Sequence, residues 1–247
     1  MLIPKSVYME NLSSSEIDEA LNNGYKTVLV GFGAMEQHGP HLPISTDSIT
    51  ARELTIRAAL KNEYTLAAPT LICGSSIIHR YFKGTINIKK DLLFEYVVNY
   101  IDCLLSHGFE RVFLVATHGG NFSTVDEIVE YYSKIKKNVY SAYTGDEFIN
   151  FMHSLSKERG VSLPLAGTHA GEMETAIYMY LTNDKSVLNN APKGFCGNYS
   201  EVRDDGLKHG MAYISPSGVI GDAQLATYEN GRYYTEKLVD FIAEKCK

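Results

Sequence analysis

Two short β-branched runs, Lys26 to Phe32 (KTVLVGF) and Arg111 to Ala116 (RVFLVA), constrain the fold more than any other feature of the chain. Runs this apolar and this short fit strands buried on both faces, which occur in parallel sheets covered by helices. Each run opens into a polar, glycine-bearing turn that leads into a helical pattern. After the first, Ser45-Thr46-Asp47-Ser48 heads ITARELTIRAALKN; after the second, Gly119-Gly120-Asn121 precedes STVDEIVEYYSKIKK. The alternation recurs along the chain. Ser13 to Glu16 offers hydroxyl caps to a short helix that Asn23-Gly24 ends. Asp91 to His107 repeats Leu92, Val97, Ile101, Leu104 and Leu105 at helical spacing and stops at Gly108, and Asp146 to Arg159 and Thr227 to Lys245 read as further helices. Tyr64 to Leu71 and Asn138 to Tyr143 read as strands, Met211 to Ile214 as one more short strand, and Gly194 to Gly210 as turn-rich chain without an assigned element. The expectation is one domain, residues 1–247, with an α/β fold of three layers: helices on both faces of a mostly parallel central sheet.

Composition narrows the function. With 23 Lys and Arg against 29 Asp and Glu the net charge is −6, which argues against nucleic acid as a partner. Cys73, Cys103, Cys196 and Cys246 are far apart and form no C-x-x-C pair, so free thiols in a reducing cytosol are expected. The start has no basic region followed by an apolar one, and no segment approaches the ~18 apolar residues of a membrane span. A cytoplasmic protein with no membrane contact is the reading.

Ligand sites of open α/β sheets lie beyond the carboxyl ends of the strands. There the first turn carries Glu36, His38, His41 and Asp47, and the second carries His118. Glu36 and His38 stand at i and i+2, which in extended backbone points both side chains the same way. Glu172, in the first turn of EMETAIYMYL, completes a set of three carboxylates and two imidazoles suited to zinc, manganese or iron. Three anionic ligands suit two divalent ions better than one. Singly, Asp47 and Glu174 are explained as first-turn acids favoured by the helix dipole, and His118 as a core histidine. Jointly these explanations weaken, because two such clusters follow buried strands at the same sheet edge. Thr117-His118-Gly119-Gly120-Asn121 lacks the Lys-Ser/Thr of a phosphate-binding loop, and no G-x-S-x-G elbow occurs.

These stretches resemble the creatininase (creatinine amidohydrolase) superfamily. The match is carried by Glu36-Gln37-His38-Gly39-Pro40-His41-Leu42-Pro43 through Thr46-Asp47, by Gly74 to Thr85 with His79, by His118-Gly119-Gly120-Asn121, and by His169-Ala170-Gly171-Glu172-Met173-Glu174-Thr175; a weaker tail runs from Ser217 to Gly231. The resemblance implies a creatininase-like three-layer fold, two divalent metal ions, hydrolysis of a C–N amide-type bond in a small-molecule substrate, and a homo-oligomer, often a hexamer. It implies that Glu36 and His118 hold one ion, His38 and Glu172 the other, and that Asp47 bridges them. Creatininases take the last carboxylate from beside the glycine-flanked histidine, where this chain has Gly120, so Glu172 is the expected replacement. His169 is the expected proton carrier with Glu174 assisting, and His79, Gly119 and Gly120 are expected substrate contacts. Creatininase encloses creatinine with tryptophans, and this chain has none, which points to another substrate. Two other outcomes compatible with the same residues are a hydrolase of a non-amide bond, such as the C–C bond of a cyclic polyol ketone, and a non-catalytic metal-binding scaffold.

Overall fold

The computed structural model describes residues 4–247. Four parallel strands, β1 (Thr27–Phe32), β2 (Thr65–Ala67), β3 (Arg111–Ala116) and β4 (Val139–Ser141), form one sheet in the order β2-β1-β3-β4. Side chains alternate between the two faces of a strand, so each face collects its own core. Val28, Val30 and Phe32 of β1 join Val112, Leu114 and Ala116 of β3 on one face. Helices α1 (Ser14–Asn22), α3 (Lys90–Ser106) and α4 (Phe122–Lys134) cover that face through Leu21, Leu93, Val97, Ile101 and Ile128. Leu29, Phe113 and Val115 face the other way, under α2 (Thr46–Ala59), α5 (Gly145–Glu158), α7 (Glu172–Thr182) and α10 (Tyr228–Lys245). Burying a side chain of this size contributes roughly 1.5–3 kcal/mol, and β1 is buried along its whole length. The expected three layers are therefore present.

The edge strands are shorter than the sequence suggests. Ala68 N–H donates to Leu29 O and Leu71 N–H to Gly31 O, both at 2.9 Å, but Pro69 between them has no N–H to continue the ladder. Leu71 returns only as an isolated bridge to Phe32.

Two assignments change in the C-terminal third. The four-residue helix α6 (Leu163–Ala166) precedes α7, and the turn-rich stretch holds helix α8 (Tyr199–His209), whose cap Asn198 accepts from Ser200 N–H. Met211–Ile214, expected as a strand, is the helical turn α9, closed by Ser215 N–H donating to Met211 O at 2.9 Å. A four-residue apolar run carries no period that separates the two states. Gly210 at φ 89° reverses the chain so that α9 packs back on α8.

All four cysteines are free. Among the described residues no helix is long and apolar enough to cross a membrane.

Candidate metal centre

The central strands β1 and β3 pair in register from Thr27 and Arg111 to Phe32 and Ala116, so their following loops leave the sheet side by side. Thr117 ties the two together: its N–H donates to Phe32 O at 3.1 Å and its hydroxyl to Asp47 O at 3.0 Å. The first loop keeps an extended course, held by Glu36 N–H donating to Ile44 O and Ile86 N–H to Met35 O. Glu36 and His38 accordingly point into one buried space, both with no exposure, joined there by Asp47 and His118.

The tautomers of both imidazoles are set by main-chain carbonyls. His38 Nδ1 lies 3.0 Å from Glu36 O, and His118 Nε2 lies 2.9 Å from Ser75 O. A carbonyl only accepts, so these nitrogens carry the protons and the opposite nitrogens carry lone pairs. Those lone pairs meet carboxylates. His38 Nε2 is 3.3 Å from Asp47 Oδ1 and 3.6 Å from Glu174 Oε2, and His118 Nδ1 is 3.1 Å from Asp47 Oδ2. Glu36 Oε2 lies 3.4 Å from His118 Nε2. Both Glu36 oxygens, His38 Nε2 and Asp47 Oδ2 are buried without a hydrogen-bond partner. Buried acceptors facing acceptors are strongly unfavourable unless positive charge lies between them.

Without other cations the side chains must supply that charge as protons. Burial opposes ionisation of His38, but Asp47, Glu174 and Glu36 raise its pKa to about 10; burial likewise opposes ionisation of His118, while Glu36 and Asp47 raise it to about 9. Burial also works against the Asp47 carboxylate, yet the two imidazoles hold it far below the usual range, and desolvation pushes Glu36 up to about 7. The same donors suit divalent cations. Among the described residues three groups have metal-ligand spacing: Glu36 with Asp47 and His118, His38 with His169 and Glu174, and Glu36 with His79 and His169.

Glu172 is not among them. Its buried carboxylate accepts from Asn230 Nδ2 at 2.8 Å and lies within 3.3 Å of the Tyr234 hydroxyl, both on α10. Arg159 holds the far side of Asn230. Glu172 and Glu174 are two steps apart along α7 and hence about 200° apart around its axis, which turns the first toward α10 and the second toward His38. Glu174, expected as an assisting residue, thus stands beside His38, with Oε2 also accepting from Ala170 N–H at 2.5 Å.

Gly120 explains why a carboxylate beside His118 is missing: a Cβ there would stand 1.9 Å from Ser75 O. Gly119 faces open space instead, with nothing within 4 Å of such a Cβ. His79 and His169 are both buried beside Glu36, with His79 Nε2 at 3.2 Å and His169 Nδ1 at 3.5 Å from its Oε1. Burial, followed by the charges of neighbouring histidines, pushes His79 down to about 3 and His169 well below its ordinary value, so both are neutral.

Gln37 and His41 were not singled out for roles by sequence. The Gln37 side chain reaches His79 and Gly218 and its main-chain carbonyl reaches His169, and His41 Nε2 lies 2.9 Å from Thr175 Oγ1 beside Glu174. Their only sequence signal is position, next to ligand candidates in one motif.

A sequence profile of the creatininase family, described as creatinine amidohydrolase, matches residues 10–246. The 3-dehydro-scyllo-inosose hydrolase of Thermotoga maritima is 25% identical over 264 residues, covering 97% of this chain and 82% of that protein. The mycofactocin precursor peptide peptidase of Mycolicibacterium smegmatis is 27% identical over 228 residues, covering 89% of this chain and 84% of its own length. Among solved structures, a mutant creatininase of the Zn-Zn type superposes with a TM-score of 0.80 over 97% of this chain and 96% of its own, at 22% identity, a likeness of fold. A profile spanning nearly the whole chain, together with that fold, establishes that the chain belongs to the creatininase family of hydrolases.

Proposed function

We propose that the chain is a metal-dependent amidohydrolase acting on a small polar substrate, in which Glu36, Asp47 and His118 hold one divalent ion and His38, Asp47 and Glu174 a second. The observation that carries this reading is Asp47 between two imidazole lone pairs, one on each oxygen, at 3.3 and 3.1 Å. Zinc, manganese and iron all fit this oxygen and nitrogen set. When bound, such a pair supplies a water acidic enough to attack near neutral pH and a polarised scissile carbonyl.

The chain's own residues supply the remainder. His169 is neutral, carries its lone pair on Nδ1 toward the cluster, and takes the water's proton before handing it to the leaving nitrogen. Glu174, with 27% of its side chain exposed, marks the open side by which a substrate arrives. The room beside Gly119 admits the substrate next to His118. Tyr199, half-buried at the start of α8 and raised in pKa by burial and by the charge of Glu36, is an aromatic group beside the site. The hexamer implied by family resemblance belongs to the same proposal and is read from the solution mass.

The test is metal analysis followed by a substrate panel of formamides, cyclic ureides, short peptides and inososes on one preparation. Turnover of an amide supports the proposal. The match to an inosose hydrolase over 97% of the chain favours a cyclic polyol ketone as the second substrate class, and turnover of that class alone overturns the amide assignment. Full metal occupancy with no turnover of any class would overturn the enzymatic reading.

A further inference from the structure

We infer that Gln37 is a positioning residue that locks His79 and His169 in the same Nε2–H tautomer while their rings present opposite ends to the metal cluster, a proton donor from His79 and a bare acceptor from His169. Gln37 is buried between two ligand candidates, and its amide orientation is fixed by partners whose roles cannot reverse. Gly39 N–H donates to Oε1 at 2.9 Å, and Gly218 O accepts from Nε2 at 3.1 Å. Gly218, at φ 78°, lets its carbonyl come this close, since a Cβ there would stand 2.1 Å from Gln37 Oε1.

The amide nitrogen also lies 2.7 Å from His79 Nδ1. An amide NH₂ only donates, so His79 Nδ1 accepts and its proton is on Nε2, 3.2 Å from Glu36 Oε1. Both amide hydrogens are then engaged. His169 Nε2, 2.9 Å from the same nitrogen, therefore makes no hydrogen bond with it and instead donates to the main-chain carbonyl of Gln37 at 2.8 Å. His169 Nδ1 is left without a proton, 3.5 Å from Glu36 Oε1. The side chain of Gln37 thus sets one ring and its main chain the other. The main chain of His169 is anchored by Ile220 N–H, which donates to His169 O at 2.8 Å.

Two consequences follow. The group of Glu36, His79 and His169 does not hold a metal, because His79 turns an N–H toward it; that N–H faces Glu36 Oε1 at 3.2 Å without forming a hydrogen bond and sets a partial positive charge beside the carboxylate. His169 needs no tautomer change before accepting a proton. Only this last point rests on the hydrolytic function proposed above.

The experiment is nitrogen-15 NMR of the histidine side chains in the zinc-loaded protein, with His79→Gln and His169→Asn supplying the assignments. Wild type is expected to show both rings protonated at Nε2 and bare at Nδ1. Gln37→Glu keeps the shape and the acceptor for Gly39 but removes both N–H groups, so His79 is expected to gain a proton at Nδ1 while His169 keeps its pattern and zinc content is unchanged. A proton on His79 Nδ1 in wild type, or an unaltered His79 in Gln37→Glu, overturns the inference, and the wild-type spectrum decides even where that variant does not fold. Failure of the substrate panel leaves these spectra unaffected, so the two readings fail separately.

Discussion

His118 Nδ1 stands 3.1 Å from Asp47 Oδ2 while its other ring nitrogen is engaged by Ser75 O at 2.9 Å. The pair joins a loop after β3 to the first turn of α2, and Asp47 Oδ2 is buried with no hydrogen-bond partner among the described residues that could relieve the contact. Among the described residues Asp47 is the one carboxylate in contact with both imidazoles of the proposed metal pair.

Protein purified without chelator is expected to carry about two divalent ions per chain, because five oxygen and nitrogen ligands exceed what one tetrahedral zinc requires. Asp47→Ala is expected to lose both ions together, as measured by elemental analysis. Wild-type occupancy in that variant would sink the dinuclear site. Chelation is also expected to lower the melting temperature, since an ion present at ~100 times its Kd stabilises the folded state by ~2.7 kcal/mol.

Glu174 and Glu172 are expected to behave as different kinds of residue. Glu174→Gln should lose one ion and most activity with the melting temperature of the metal-free protein unchanged. Glu172→Ala should keep the ions but destabilise the fold, because Asn230 Nδ2 and the Tyr234 hydroxyl lose their acceptor, at ~1–3 kcal/mol for each group left buried and unpaired. The reverse pattern in metal analysis and denaturant melts would return Glu172 to the metal shell.

His169→Ala is expected to keep both ions and the fold and to lose ~10²–10⁴ in kcat, the usual contribution of a general acid or base. His118→Ala should lose metal as well as activity. Depletion of an ion in His169→Ala, with occupancy intact in His118→Ala, exchanges the two assignments.

Gly120→Glu is expected not to rescue Glu174→Gln. A side chain at this position meets Ser75 O at 1.9 Å, and it also crowds His118 Nε2 at 2.6 Å. Such overpacking typically costs ~1–3 kcal/mol, to be read from thermal melts, and restored metal content in the double variant would contradict this account.

Creatinine is expected to be turned over negligibly, since the chain has no tryptophan to wall a small, nearly neutral ring. Misplacing reacting groups by ~1 Å costs ~10²-fold. A kcat/KM of ~10⁴ M⁻¹s⁻¹ or above, ordinary for an enzyme acting on its own substrate, would show that Tyr199 or another side chain does the work of tryptophan.

Sequence alone determined the layered fold and the position of the candidate site, because both depend on local patterns. Buried parallel strands are apolar along their length, as in Val28 to Val30 and Val112 to Val115, and ligand-bearing loops must follow them. Glu36, His38, Asp47 and His118 were legible for the same reason: each lies in a loop or first turn just past a recognisable strand. Met211–Ile214 was not, since four apolar residues fit a strand or a helical turn equally well. The choice between Glu172 and Glu174 belonged to the tertiary structure, for both sit in one helical turn and only the packing of α7 against α10 decides which faces Asn230 and which faces His38. The role of Gln37 was likewise hidden, because a glutamine becomes a tautomer lock only when folding brings His79 and Gly218 to its side chain and His169 to its main-chain carbonyl, from 42, 181 and 132 residues away in sequence.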